Sequence, residues 1–468
     1  MILAWFPVDC IRGNVVIFNI VIYRINQSAT GAILSPDGAI MIGVGIIGLG
    51  TVGTGTYRIL TERAALIRKK TGLDLGVVHV AEIDPRKLKG KNIDRTMLTS
   101  DAMELIRDER VHIVAELIGG MDSASDFIKE ALSRKKQVVT ANKALLAEKG
   151  DELFALAAKT GCDIGFEASV CGGIPVIRAI RDGLVGNRFT YILGILNGTS
   201  NYILSRMTDE GISFGEALKN AQQEGYAEKD PTFDVEGIDA AHKLSILVRL
   251  AFSSPVTMKN ITIHGISRID PVDIGFARDF GYKIKLLAIA KKTSSGIEAR
   301  VEPAMLPLNH PMSSVNGVYN AVYIVGDRVG PNLFYGKGAG SEPTGSAVVS
   351  DIVDLAKKIS GKAVVSVPGL TVSGRHREAK SSRVPYYLRV MAKDMPGVLS
   401  KISGILSDYK ISISAVTQQG RKLSGYVPIV MVTHDAAEDG LKKAKQAIDK
   451  LSFTKGQSVH IRIEEGNS

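Results

Sequence analysis

Short apolar runs rich in β-branched residues alternate with stretches of helical periodicity along most of the chain. Met41–Ile47 predicts a strand and Thr54–Lys69 a helix; Asp74–Ile83 and Val111–Ile118 predict strands, Ser125–Arg134 a helix and Gln137–Thr140 a strand. Asp163–Ile174 reads as one more strand. This alternation from Met41 onward predicts a doubly wound, parallel α/β sheet. Phe189–Leu196 then leads through the polar turn Asn197–Asn201 into a helix reaching Met207. Lys283–Lys291, Gly296–Pro303 and Gly317–Gly326 predict the open sheet of a second domain, and Ser346–Ile359 is helical in pattern. Polar, aperiodic Thr371–Val384 reads as a linker. Beyond it come strand Tyr386–Met391, helix Val398–Tyr409, strands Ile411–Thr417 and Gly425–Thr433, helix Ala437–Leu451 and strand Ser458–Ile463, the βαββαβ order of a ferredoxin-like unit. Residues 1–40 carry no clear period; they are expected to be an appendage, with the fold and the true start at Met41.

Composition changes this picture little. With 468 residues, 45% hydrophobic and 23% charged, the chain has globular composition and room for three domains. The formal charge of +10 is spread over short groups such as Arg68–Lys70 and Arg134–Lys136, with no basic tract interleaved with aromatics, so a nucleic-acid partner is not expected. A modest positive field helps collect anionic ligands. Cys10, Cys162 and Cys171 form no spaced pair, which argues against a disulfide framework or zinc site and for a reducing cytoplasm. The apolar run Val15–Tyr23 is too short to span a bilayer, so no membrane partner is expected.

Candidate chemistry sits at the junctions between elements. Gly48, Leu49, Gly50, Thr51, Val52 and Gly53 form a GxGxxG between a predicted strand and helix, the context of the dinucleotide fingerprint. Gly48 would make the tight turn, Gly50 would admit the pyrophosphate and Gly53 would let the helix pack on the sheet. At the end of the second strand, Glu82 and Asp84 offer an acid for a ribose hydroxyl, whereas Arg86 and Lys87 offer cations for a 2′-phosphate; NAD and NADP both stay open. Lys143 follows Asn142 at a strand's carboxyl end, where open α/β sheets bind ligands. Glu167 is either a satisfied core acid or an oxygen ligand to a small hard cation. Gly336–Thr344 is a second glycine-rich turn, equally suited to closing over a ligand or crossing between domains. The densest charge lies in Gly225–Leu244, just before the apolar Ser245–Phe252; on a helix, Asp239 and Lys243 would share a face. A solvated helix start is the competing explanation of that stretch.

The fingerprint together with Val139–Leu146, Phe166–Pro175, Gly194–Ile203, Gly225–Leu244 and Pro343-Thr344 resembles homoserine dehydrogenase over about residues 41–370, and the tail from Tyr386 resembles an ACT domain. The lack of a preceding aspartokinase-like region points to the monofunctional form. The resemblance implies a Rossmann-like NAD(P)-binding domain at 41–165 with a return segment at about 336–370, an α+β substrate-binding and dimerisation domain at 166–335, a linker at 371–384 and an ACT regulatory domain at 385–468. It implies interconversion of L-aspartate 4-semialdehyde and L-homoserine, with Lys243 and Lys143 catalytic and Glu228, Asp234 and Asp239 binding substrate. Cofactor contacts would fall on Gly48–Gly53, Asp84, Arg86, Lys143 and Gly340, and a sodium site on Glu167 with the Val170 and Gly172 carbonyls. Asp394, Pro396 and Gly397 match the ACT effector turn, with threonine as the expected effector and a homodimer or homotetramer as the expected assembly. Cys171, Lys337 and Glu342 depart from the family pattern in the loops over the site. Burial of a catalytic lysine is expected to bring its pKa toward working pH. Another amino-acid dehydrogenase, or a non-catalytic sensor, are the alternatives; a thiol mechanism lacks an activated cysteine.

Overall fold

The computed structural model describes residues 33–34, 40–91, 93–361, 382–418 and 425–466. Most of the 1–40 segment and of the 371–384 linker, Cys10 included, lie outside them. The first sheet runs in the order Leu98–Thr99, Leu75–Ala81, Ile40–Ile47, Ile113–Glu116, Gln137–Thr140, Ile164–Gly165, all parallel. In chain order that is 3-2-1-4-5-6, the doubly wound dinucleotide arrangement, with its switch point beside the glycine turn. Ile33–Leu34 pairs antiparallel with Ile40–Ile47, so strand pairing begins before the expected boundary at Met41.

Several elements differ from the sequence-based expectation. The pattern over Thr54–Lys69 divides into helices Thr51–Glu62 and Ala64–Thr71, which meet at Arg63, and the first begins inside the fingerprint. Only Ile164–Gly165 of the expected 163–174 strand pairs; Glu167–Ser169 is a helical turn. Asp351 accepts from the Glu167 amide at 2.8 Å in place of a strand partner, and the Glu167 carboxylate accepts from the amides of Ile177 and Arg178 beyond the segment, each at 2.8 Å. Strand Gly330–Lys337 was not anticipated; Pro331, Asn332 and two glycines, Gly330 and Gly336, interrupt its pattern, and its burial alternates as an edge strand's does.

Helix Ser341–Ile359 returns to the first domain and buries Val348, Ile352 and Leu355 in the core that holds Val44, Ile46 and Val80. It crosses helix Thr51–Glu62 backbone to backbone: a Cβ on Gly345 would stand 2.7 Å from the carbonyl carbon of Gly55.

The second sheet is larger than expected because two predicted units share it. Its order is Gly330–Lys337, Tyr319–Gly326, Phe189–Ile195, Tyr282–Lys292, Ile297–Pro307, Val459–Ile463, Tyr386–Lys393, Tyr426–Thr433, Ile413–Gln418. The C-terminal βαββαβ unit joins through its last strand, which pairs in parallel with Ile297–Pro307, Ala304 against Arg462 and Met305 against Ile463. Buried ion pairs flank this seam: Arg389 meets Asp273 at 2.6 Å, and Arg462 meets Glu298 at 3.1 Å. No helix among the described residues is long and apolar enough to cross a membrane.

Candidate active site

The carboxyl ends of the parallel strands build one wall of the site. Glu116, fully buried at the end of its strand, accepts from Thr140 Oγ1 at 2.6 Å, and Thr140 Oγ1 accepts from the Asn142 amide at 3.0 Å. Asn142 caps helix Lys143–Thr160 by accepting from the Leu145 amide, and its Nδ2 donates to the Gly120 carbonyl at 2.6 Å. Lys143 is thereby fixed as the first residue of a long helix, pointing out of the sheet edge.

The opposite wall is helix Ile238–Phe252, entered through Gly237, whose φ of +82° favours a residue without a side chain. Nearly every side chain of this helix is buried, which is incompatible with a solvated helix start for Asp239 and Lys243. Lys243 Nζ donates to Asp239 Oδ2 and to the Leu196 carbonyl, both at 2.7 Å. Lys143 Nζ lies 3.1 Å from Asp239 Oδ1 and 5.6 Å from the centre of the Phe233 ring. One carboxylate therefore joins two ammonium groups that come from residues a hundred positions apart. Asn197 extends the network, its Nδ2 donating to Asp239 Oδ2 at 2.9 Å and to Asp234 Oδ1 at 2.7 Å.

Charge states follow from these contacts. Burial raises Asp239, but Lys243 and Lys143 more than offset it and hold the carboxyl at about 2. Burial lowers Lys243, but Asp239 outweighs it and the ammonium is raised above its ordinary value. This corrects the expectation that burial would bring Lys243 toward working pH: the ion partner, not desolvation, decides. Burial pushes Asp234 up, partly countered by Asn197. Cys171, fully buried with Asn320 Nδ2 3.6 Å from its sulfur, is pushed up to about 11 by burial, which favours the protonated thiol over a nucleophilic thiolate.

Not every expected residue joins the network. Glu228 is exposed, and its carboxylate makes no hydrogen bond or ion pair among the described residues. His242 is buried with its ring 5.5 Å from that of Phe233, in a packing position.

In the nucleotide cradle, Gly48 has φ +95°, a Cβ on Gly53 would stand 1.9 Å from the Gly48 carbonyl oxygen, and Gly50 faces open space. Ser341 Oγ donates to the Thr51 carbonyl at 2.8 Å, so the N-termini of helices Thr51–Glu62 and Ser341–Ile359 converge, with Gly340 at φ +123° between them. Two helix starts and a turn open at Gly50 fit a pyrophosphate. Asp84 does not reach toward this turn: it caps the following helical turn and holds Arg86 in a two-pronged pair at 2.9 and 3.0 Å. The acid that touches the turn is Glu82, which accepts from the Leu49 amide at 2.7 Å. Glu82 was legible as a strand-end acid; its contact needed the fold.

Glu167 is buried and raised by burial, with Asp351 beside it raised to about 7 by burial. A buried carboxylate with loop carbonyls at Val170 and Gly172 has the donor chemistry of a hard-cation site. This loop is stapled to the glycine-rich 336–344 turn, Gly173 donating to the Lys337 carbonyl at 3.0 Å.

A doubly wound nucleotide fold, a two-helix phosphate cradle and a buried Lys–Asp–Lys cluster at the sheet's carboxyl edge define an NAD(P)-dependent oxidoreductase. Residues 48–167 match "Homoserine dehydrogenase, NAD binding domain", 175–353 match "Homoserine dehydrogenase" and 386–453 match "ACT domain". A homoserine dehydrogenase of Pseudomonas aeruginosa is 42% identical over 91% of this chain and 99% of its own, and that of Bacillus subtilis 39% identical over 90% and 98%. The crystal structure of a homoserine dehydrogenase from Thiobacillus denitrificans superposes with a TM-score of 0.86 at 42% identity, covering 91% of this chain and 98% of that one. A hyperthermophilic archaeal homoserine dehydrogenase in complex with NADPH superposes with a TM-score of 0.59 at 27% identity, over 68% of this chain and 98% of that one. The chain belongs to the homoserine dehydrogenase family, and its C-terminal unit is an ACT domain.

Proposed function

We propose that the protein interconverts L-aspartate 4-semialdehyde and L-homoserine with NAD(P)(H), a step toward threonine, methionine and isoleucine, and that threonine regulates it through the ACT domain. The observation that carries this reading is Asp239 held between Lys143 and Lys243. NAD(P)H, when bound in the cradle, supplies the hydride. Reduction of the aldehyde leaves an alkoxide, which needs a proton and a nearby positive charge. Lys243, kept protonated by Asp239, is the proton donor, and Lys143 stabilises the developing charge and orients the substrate. Asp234 and Glu228 receive the substrate's ammonium group, charge against charge. In the oxidative direction Lys243 must first lose its proton, so its raised pKa places that direction at alkaline pH. The assay is nicotinamide absorbance with aspartate semialdehyde, run with NADH and NADPH, for wild type, Lys243→Ala and Lys143→Ala. Each variant should lose at least about 10²-fold in kcat; an undiminished Lys243→Ala enzyme would refute the mechanism.

Regulation belongs to the turn Asp394, Pro396 and Gly397. Asp394 is exposed there, accepting from Gln418 Nε2 at 3.2 Å, and Gly397 at φ +87° starts the following helix. Asp394→Ala should weaken inhibition by threonine while leaving uninhibited activity intact. A sodium ion at Glu167, Val170 and Gly172 would relieve the repulsion between Glu167 and Asp351. Replacing sodium by choline should then lower the melting temperature; an unchanged melt removes the ion. Pairing of chains into a homodimer or homotetramer is read out by light scattering.

A further inference from the structure

At the seam between the catalytic sheet and the ACT domain lies a cavity of about 350 Å³ that the proposed reaction does not use. Its wall carries five Lys and Arg side chains, Arg268, Arg300, Lys442, Lys445 and Arg462, against two carboxylates, Glu302 and Glu438. The carboxylates are already engaged: Glu302 pairs with Arg300 at 2.9 Å, while Glu438 pairs with Arg300 at 2.9 Å and with Lys442 at 2.7 Å. Arg462 pairs with Glu298 and Glu464 behind the wall. Arg268 and Lys445 form no ion pair among the described residues, so the cavity keeps an excess of positive charge. His460 also lines it and is pushed down to about 4, first by burial and then by Lys445.

A second observation points to a ligand. Tyr386 lines the cavity, is 2% exposed, and its hydroxyl has no hydrogen-bond partner. A buried hydroxyl left unpaired is destabilising, so it marks a position that an acceptor should fill. Cations without anions around a donor without an acceptor describe the complement of an oxyanion.

We propose that the seam cavity is a binding site for a small oxyanion, a carboxylate or phosphate group, held by Tyr386, Lys445 and Arg268. The site is separate from the ACT turn: Tyr386 opens the strand Tyr386–Lys393, and the turn at Asp394 follows its far end, eight residues on. The ligand would touch both parts of the molecule, since Tyr386 is paired with Arg462, and Arg462 in turn with Ala304 of the catalytic sheet.

The test uses the full chain with saturating NADPH and L-homoserine, a non-reacting pair that fills the other anion-binding positions. Inorganic phosphate and, separately, acetate are titrated calorimetrically at constant ionic strength set by chloride. Wild type should give a saturable signal, and Tyr386→Phe and Lys445→Gln should each weaken it by about tenfold, the loss of one charge-assisted or buried hydrogen bond. Tyr386→Phe removes only an unpartnered oxygen, and an unchanged anion-free melting temperature verifies its fold. Saturation by phosphate assigns the site to phosphate-bearing ligands, and saturation by acetate to carboxylates. No saturable binding of either anion, or equal affinity in wild type and both variants, overturns the proposal. Because the comparison is between variants distant from Lys143 and Lys243, it stands whether or not the proposed reaction is correct.

Discussion

Asp239→Asn keeps the shape of the side chain and removes the charge that both lysines share. Without that charge, burial is the dominant influence on Lys243 and its pKa falls. Aldehyde reduction near neutral pH should drop by roughly 10²–10³-fold, and the alkaline limb of its pH profile should move to lower pH. A pH series of kcat checks both; an unmoved limb would mean that Lys243 is not the proton donor. Stability gives an independent readout. The folded carboxyl sits at about 2, below the ordinary value of about 3.9, so its stabilising contribution is full above that ordinary value and lost as pH falls toward 2. Wild type should therefore lose more stability than Asp239→Asn between pH 4 and 2 in urea melts. At the cofactor, Arg86 is an exposed guanidinium tied to Asp84. A 2′-phosphate would compete for it, so Arg86→Ala should raise KM for NADPH by about tenfold and leave KM for NADH nearly unchanged. Equal changes for the two cofactors would exclude Arg86 from 2′-phosphate recognition.

The crossing of helices Thr51–Glu62 and Ser341–Ile359 brings two N-termini to one place and depends on two glycines. A Cβ on Gly345 would stand 2.7 Å from the Gly55 carbonyl carbon and from the Thr56 nitrogen, both backbone atoms that cannot rotate away. Gly345→Ala should destabilise the protein by about 1–3 kcal/mol and raise KM for the nucleotide, because the helix starts must separate. Chemical denaturation and initial rates measure these; a variant as stable as wild type would show that the crossing relaxes freely. The sequence displayed the glycines of the fingerprint and the turn before this helix, but not that Gly55 and Gly345 meet, since contact between residues so far apart leaves no local pattern. Strands with continuous apolar runs, such as Ile40–Ile47, were legible for the opposite reason: both faces are buried, and the pattern records that directly. The 163–174 segment misleads because it is apolar and buried like a strand, while Asp351 accepts from its Glu167 amide in place of a neighbouring strand and the Glu167 carboxylate turns to the amides of Ile177 and Arg178 beyond it. In the site, the i, i+4 pairing of Asp239 with Lys243 was readable from spacing. That their net effect raises the Lys243 pKa depended on the distance to Asp239, which spacing alone does not supply.

At the scale of the molecule, the sequence presents the ACT domain as a unit behind a linker, and the structure makes its last strand part of the catalytic sheet. That difference bears on how regulation can be tested. Removing residues from Tyr386 onward would strip Val459–Ile463 from the Ile297–Pro307 strand and unpair its edge at the fully buried Ala304 and Met305. It would also leave Asp273 without Arg389 and Tyr387, which contact it at 2.6 and 2.7 Å, and remove Arg462 from Glu298. Breaking one buried ion pair by deleting a partner generally costs about 3–5 kcal/mol, and here several go together. The truncated chain should therefore aggregate or lose activity for structural reasons, so its failure to respond to threonine would say nothing about the effector turn. Asp394→Ala changes one exposed side chain at the far end of the Tyr386–Lys393 strand and leaves the seam intact. Size-exclusion chromatography and the nicotinamide assay, applied to both proteins, decide the matter. The expected result is a monodisperse, active Asp394→Ala enzyme with weakened threonine inhibition beside an aggregated or inactive truncation. A truncated enzyme that stays monodisperse and fully active would mean that the shared sheet contributes little to the catalytic fold, and that the ACT domain is a separable attachment after all.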